Sequence, residues 1–387
     1  MKLRPIAIHL PQFHPFPEND NWWGKGFTEW TNVTKARPLY EGHYQPHLPT
    51  DLGFYDLRLA DCRLEQEKLA KEYGFYGFCY YHYWFNGKLL MERPIEEKLK
   101  NLEEDFPFML CWANENWTRV WDGGEKNVLM EQDYNMEDHI AHIRYLIPFF
   151  KDKRYIKIDG KAAFAVYRTT KIPNFDKVAE IWREEARKHD VELYITRFES
   201  FGERGEKYMS ENIDASIEFQ PHSGVKILSD SRRQEYLIKK QNYKTLRNEI
   251  SLATIKQSYD HWSKKLKFKK TVGQEKPSGD IIEYSDFIET DITYDKADKI
   301  NYKFYRCACP GFDNTARRSK DYLILKDSTP ELFKHWIKEK LKLFKPYSKE
   351  ENLFFINAWN EWAEGNYLEP SRKWGRAYLE VIKDIFK

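Results

Sequence analysis

Eight short apolar runs, separated by longer stretches of helical periodicity, restrict the folds open to this chain more than any other feature. They lie near residues 4–10, 76–83, 107–112, 162–168, 192–198, 214–220, 304–309 and 353–359. That rhythm argues for repeated βα units and a mainly parallel barrel or sheet. Helical patterns fall at 56–73, 94–102, 137–151, 174–189, 329–344 and 374–386. Asn174 and Thr329 stand at good capping positions, and Pro330 takes the first helical position after Thr329.

The ends of the runs decide between barrel and open sheet. Nearly every one finishes in polar or aromatic residues: HLPQFH, CYYHYWFNG, CWANENWTR, RFES, FQPHSG, CPGFDNTARR and NAWNEWAEG. A barrel gathers its active site from the loops after all its strands, whereas a doubly wound sheet concentrates ligands at one switch point. The reading is therefore an α/β chain forming a (β/α)8 barrel, with residues 1–387 as one catalytic domain. The segment 222–303 breaks the rhythm, with Lys-rich helical pieces and an acidic, β-prone part, GDIIEYSDFIETDITYD. It reads as an insertion between strands six and seven, either a lid or subsite wall or a solvated decoration.

Composition excludes some partners. With 63 Lys plus Arg against 61 Asp plus Glu, the net charge of +2 creates no general attraction to nucleic acid or anionic membrane. No run has transmembrane length, and the N-terminus lacks a signal-type apolar segment, so a cytoplasmic location is expected, or a periplasmic one if a leader had preceded it. The five cysteines show no zinc-type pairing and read as reduced thiols on buried strands. Aromatics make up 16% of the chain, and rings offer flat faces to sugar C–H surfaces while Trp and Tyr hydrogen-bond hydroxyls. Position, not composition, has to separate that use from core filling.

The richest chemistry follows the last run, in LFFINAWNEWAEGNYLEP (353–370). Glu361 and Glu364 stand at i and i+3, a spacing that shares one face on a helical turn but diverges in extended chain. Beside Trp359 and Trp362, at least one acid is placed to keep its proton near neutral pH. An acid that protonates a leaving oxygen and a second carboxylate are what glycosidic chemistry requires, so Glu361 and Glu364 are the catalytic candidates. The plainer reading makes them a helix-start residue and a solvated neighbour of Gly365. Asn360, Trp359 and Trp362 join them as candidate substrate-binding residues.

Further candidates come from other run ends. CWANENWTRVW places Trp112, Asn114, Glu115, Asn116 and Trp117 at a sugar subsite, with Arg119 and Trp121 split between subsite and packing roles. CYYHYWFNG offers Tyr80, Tyr81, His82, Tyr83 and Trp84, of which alternation lets only about half face the barrel axis, and Tyr81, His82 and Trp84 are taken as binding candidates. His82 reads as a hydrogen-bonded wall residue rather than a base or ligand. His9, Gln220 and Trp30 complete the binding set, with Trp22, Trp23, Glu29 and Trp30 divided between a distal subsite and packing at the mouth. PGFDNTARR adds Asp313, Asn314 and Arg317, with Arg317 and Arg318 read either as ion-pair partners or as a fork for an acidic sugar or phosphate. No histidine spacing suggests a metal site, and no cofactor is expected.

The segment WNEWAEGNYLEP resembles the catalytic segment of glycoside hydrolase family 99 and, more closely, that of WbsX-type proteins from bacterial polysaccharide loci. HLPQFHPFPEND, WGKGFTEWTNV, FMLCWANENWTRVWDG and PGFDNTARR resemble the same WbsX-type pattern, so the likeness spans nearly the whole chain. The resemblance implies a (β/α)8 barrel and a retaining, endo-acting hydrolysis through a 1,2-anhydro sugar. It places Glu361 as the carboxylate that deprotonates the sugar 2-hydroxyl and Glu364 as the general acid/base. The chain departs where family 99 often has His after the central Trp, since Ala363 stands there, and mannose is not carried over.

Three functions follow: a glycoside hydrolase acting on a bacterial polysaccharide; a glycosyltransferase or transglycosylase of lipopolysaccharide or O-antigen synthesis; and a catalytically silent glycan-binding barrel. No phosphate loop or DxD-like pair supports a nucleotide-sugar donor, and two acids at the last strand exceed what binding alone needs. The expected partner is an oligosaccharide or polysaccharide.

Overall fold

A computed structural model describes residues 3–119, 124–231 and 279–387. Its central sheet contains β1 (Arg4–His9), β2 (Gly77–Phe85), β3 (Phe108–Trp112), β4 (Lys161–Val166), β5 (Leu193–Glu199), β6 (Ala215–Glu218), a divided β7 (Phe304–Tyr305 and Cys307–Ala308) and β8 (Leu353–Ile356). Neighbours pair in parallel from β1 through β6, and β1 also pairs with β8, from Arg4 opposite Leu353 to Ala7 opposite Ile356. The divided strand closes the ring. Its first half pairs with β6 through Ser216–Phe304, and its second half pairs with β8 through Cys307–Phe355. The eight expected strands therefore form the expected barrel, shifted by a few residues at their ends.

The strands are buried on both faces because the barrel interior covers one side and helices cover the other. Ile6, Ala7 and Ile8, like Phe354, Phe355 and Ile356, have no solvent exposure. The expected helices appear as Ala60–Glu72, Arg93–Lys100, Met136–Lys151, Phe175–Arg187, Pro330–Lys342 and Ala377–Phe386. The Thr329 side chain caps Pro330–Lys342 as anticipated, but Asn174 makes no side-chain cap bond. Gly77 sits where β2 crosses close to the chain before β3, and a Cβ there would lie 2.7 Å from the Pro107 carbonyl oxygen.

Several local expectations are corrected. Within the acidic stretch read as β-prone, only Asp280–Glu283 is strand, and Tyr284–Ala297 is helix. Its buried residues, Tyr284, Phe287, Ile288, Asp291, Ile292 and Asp295, recur every three or four positions, a helical period that β-propensity concealed. This helix packs on Pro330–Lys342, with the Phe287 and Trp336 rings 5.4 Å apart. Short helices at Pro17–Trp23 and Glu29–Lys35 lie in the loop after β1. Cys62 lies on a helix, while Cys79, Cys111 and Cys307 are in strands. Trp121 and residues 232–278 of the anticipated insertion lie outside the described residues. Among the described residues no helix is long and apolar enough to cross a membrane.

Candidate active site

The C-terminal mouth of the barrel opens into a cavity with about 820 Å³ of empty space, bordered by residues at the end of β2 and by residues that follow β1, β3, β4, β6, β7 and β8. Its acidic wall grows out of β8. Beyond Ile356 the chain enters a two-residue strand, Asn360–Glu361, paired antiparallel with Asn366–Tyr367, and the intervening Trp362–Glu364 forms a 3-10 turn. Glu361 ends the strand and Glu364 ends the turn that follows, and both side chains reach the cavity. The turn ends at Gly365 with φ +56°, where a Cβ would come within 3.0 Å of Asp313.

The residues between and beside the acids hold this turn. Asn360 accepts from the Leu10 amide (2.8 Å) and donates to the Leu10 carbonyl (3.0 Å), pinning the segment to the end of β1. Trp362 turns away from the cavity, stacks on Tyr367 at 3.8 Å and donates to Glu369 at 2.6 Å. Glu369 also receives Tyr55 (2.9 Å) and Gln66 (2.7 Å); burial nevertheless pushes its carboxyl up to about 7.

Arg317 organises the charge. Its Nη1 donates to Glu364 at 2.6 Å, and its Nη2 donates to Glu361 at 2.7 Å and to Glu29. Burial pushes the Glu361 carboxyl up to about 8; Arg317 opposes that rise, while Glu364 and Glu29 reinforce it. Burial also works against the Arg317 charge, but the three carboxylates outweigh it and hold the guanidinium ionised. The cavity thus presents a Glu361 carboxyl held above its ordinary range beside a charged guanidinium.

The facing wall is aromatic and polar. Tyr81 and Tyr83 from β2, Tyr167 beyond β4 and Phe219 beyond β6 line the cavity. Trp117 stacks on Tyr83 (5.5 Å, 10° between planes) and meets Trp22 edge-on at 5.4 Å, with Phe16 stacked at 6.3 Å. Glu115 is ion-paired with Arg168 at 2.7 Å, and Arg168 continues to Glu203 at 2.6 Å. Burial pushes His222 down to about 4, leaving it neutral near pH 7.

Of the residues singled out in the sequence, the cavity brings together Tyr81, Glu115, Trp117, Arg317, Glu361 and Glu364. The others are placed elsewhere. Because Tyr81 and Tyr83 face inward, His82 and Trp84 must face the helices: His82 meets His142 at 2.9 Å and Trp84 donates to Asp138 at 3.0 Å. Trp112, opposite His82 in the sheet, likewise packs on Trp182. His9 points outward to Gln66 at 3.1 Å, and burial lowers it to about 3.

The remaining candidates serve the scaffold. Trp30 donates to the Tyr55 carbonyl at 2.9 Å and packs on Trp362. Asn114 exchanges hydrogen bonds with the Arg168 backbone, and Gln220 donates to Glu218 and Asp291. Trp359 packs on Phe75 and Phe78. Asp313 lies 2.7 Å from His43 and borders a neighbouring cavity, while Asn314 accepts from the Leu323 amide. A polar or aromatic residue type does not distinguish a sugar partner from a strand partner; the pleat does.

Tyr83 and Asn116, named in their sequence segments, also line the cavity, and Phe85, Gln12, Tyr167, Phe219 and His222 line it without having been selected as binding residues. Period-two extension from Tyr81 through Tyr83 would have added Phe85. Glu29 was divided between a distal subsite and packing at the mouth, and its place beside Arg317 had no local signal, since the two are 288 positions apart. Among the described residues, Glu218, Asp291 and Asp295 come close enough to hold a metal ion, but the Lys340 ammonium lies 2.7–2.9 Å from all three and stands in that place.

Residues 5–382 match the family model described as Glycosyltransferase WbsX. Two curated relatives, both described as "Uncharacterized protein WxcX" from strains of Xanthomonas campestris pv. campestris, are 33% identical over 380 residues, covering 98% of this chain and 49% of theirs. The chain therefore spans about half the length of those relatives. In fold it is similar to a "Glycoside hydrolase-like protein" (TM-score 0.57, 13% identity, covering 100% of this chain and 94% of the other). It is also similar to the GH99 endo-alpha-mannosidase from Bacteroides thetaiotaomicron (TM-score 0.55, 10% identity, covering 99% and 96%). At these identities the likeness to solved structures establishes the barrel fold.

Proposed function

The chain belongs to the WbsX family, and from that premise we propose that it is a glycan-processing enzyme, a retaining glycoside hydrolase acting within a bacterial polysaccharide. The observation that carries the proposal is the pairing of Glu361 and Glu364 on one guanidinium at a cavity mouth, where burial raises the Glu361 carboxyl. One acid proton passes to the leaving oxygen as the C1–O bond breaks, and the other carboxylate takes the proton of the sugar 2-hydroxyl as O2 closes on C1. Water then opens the 1,2-anhydro ring at C1 with the proton movements reversed, so configuration is retained.

The two grounds for assigning roles disagree on the donor. Resemblance gives the acid role to Glu364 and the base role to Glu361, whereas the resting charge state favours Glu361 as the proton donor. A glycoside with an activated leaving group separates them, because only the variant lacking the donor should be rescued by it.

The endo mode is proposed on the fold shared with endo-alpha-mannosidases and on the Phe16–Trp22–Trp117–Tyr83 shelf, which extends the wall beyond the acids. The segment that begins at His222 is proposed as a lid or subsite wall within one catalytic domain, since His222 borders the cavity. The family description favours a second reading, a glycosyltransferase.

The test incubates the protein and a Glu361→Gln/Glu364→Gln double variant with purified bacterial polysaccharides, without nucleotide sugar, and follows new reducing ends by mass spectrometry. Cleavage lost in the variant supports the hydrolase. Sugar addition only when activated donors are supplied moves the assignment to transfer, and glycan binding without either reaction moves it to a binding barrel.

A further inference from the structure

Glu29 belongs to the charge cluster but not to the cavity wall. It begins the short helix Glu29–Lys35 and has no solvent exposure. Its Oε1 accepts from Arg317 Nη2 and, at 3.2 Å, from the amide of Ala363, the residue just before Glu364 in the turn that carries both acids. Its own amide donates to the Gln12 carbonyl at 3.0 Å, tying the helix start to the loop after β1, where Gln12 borders the cavity.

We propose that Glu29 is a positioning residue for the reaction, locking the Arg317 guanidinium and the Glu361–Glu364 turn together from behind the cavity. The inference rests on the paired-acid reading of this cavity. Arg317 has five N–H groups in a rigid plane, so its orientation decides how the two acids are spaced. With one Nη on Glu364 and the other shared by Glu361 and Glu29, that plane has a single orientation.

Glu29 is ion-paired with Arg317 and has no solvent exposure. What the charge does is felt by Glu361, which is faced by Arg317, Glu364, Glu29 and the hydroxyls of Tyr81 and Tyr83. The negative charge of Glu29 raises the Glu361 carboxyl and holds back part of the Arg317 attraction, so that Glu361 keeps a transferable proton.

Glu29→Gln keeps the acceptor for Ala363 and removes the charge. In the full chain carrying ¹³C-labelled glutamate carboxyls, with Glu361 assigned from Glu361→Gln, the Glu361 titration is expected to move to lower pH. Turnover on the cleaved glycan is expected to fall roughly tenfold to a hundredfold, with KM changing less than about threefold. Glu29→Asp keeps the charge but shortens the reach, so the raised titration should persist while turnover still falls.

A folded Glu29→Gln protein with parental titration and turnover overturns the proposal. If that variant does not fold, parental turnover in Glu29→Asp overturns it instead. The titration needs no substrate: a shifted Glu361 in a protein that cleaves no glycan supports the role of Glu29 and counts against the hydrolase.

Discussion

The barrel contains two buried charge clusters of similar parts in different proportion. At the mouth, Glu29, Glu361 and Glu364 share the single cation Arg317. Between the barrel wall and its helices, Glu218, Asp291 and Asp295 meet Lys340 at 2.7–2.9 Å, with Arg306 2.5 Å and Arg204 3.1 Å from Asp295. In the second cluster, burial favours a neutral Asp295, but Lys340, Arg306 and Arg204 overcome it and hold the carboxyl below its ordinary range. Asp291 rises to about 6 because burial and its acidic neighbours outweigh Lys340. A surplus of acids beside an open cavity stores a proton, whereas near-matched charges sealed from solvent fix the seating of two helices on the barrel.

The largest expected effect breaks the sealed cluster. Lys340→Met removes the one cation that contacts all three buried acids and should cost about 3–5 kcal/mol, measured by denaturant unfolding. A loss below about 1 kcal/mol would mean that the cluster relaxes with water, and the contrast would collapse. At the mouth the expectation is reversed: Glu361→Gln and Glu364→Gln should each lower kcat by roughly 10²–10⁴-fold without loss of stability. Near-parental kcat in either variant would remove that acid from the mechanism.

Unfolding midpoints against pH sharpen the contrast further. The Glu361 carboxyl rises from about 4.3 unfolded to about 8 folded, so its contribution is fully present below the unfolded value and is lost as pH rises through the folded one. Asp295 is depressed when folded, so its contribution is present above its unfolded value and is lost as pH falls. Glu361→Gln should therefore flatten the alkaline decline only, and a variant that left it unchanged would remove the stored proton from the argument. The smallest effect is expected at the aromatic shelf, where Trp117→Ala should weaken glycan binding by about 0.5–1.5 kcal/mol, read as a raised KM with kcat preserved.

Much of this was legible before the fold was known. The strand rhythm led to the barrel, and NAWNEWAEG led to the two acids, because apolar strand ends and i, i+3 carboxylates are local patterns. His82, Trp84 and Trp112 show where local reading fails: their chemistry suits sugar binding, yet one step of the pleat turns them toward the helices. Asn114, Asn360 and Gln220 fail for another reason, since buried amides also satisfy backbone and side-chain partners across the barrel.

By itself the sequence determined the eightfold repeat, the strand that carries the acids and the likeness to the WbsX pattern, all of which reside in the order of neighbouring residues. Only the tertiary structure decided that Glu29, Arg317, Glu361 and Glu364 meet, and that Lys340 lies among Glu218, Asp291 and Asp295. The physical reason is that charge acts through space and burial. Neither the separation of two carboxylates nor the dielectric around them exists until the barrel closes.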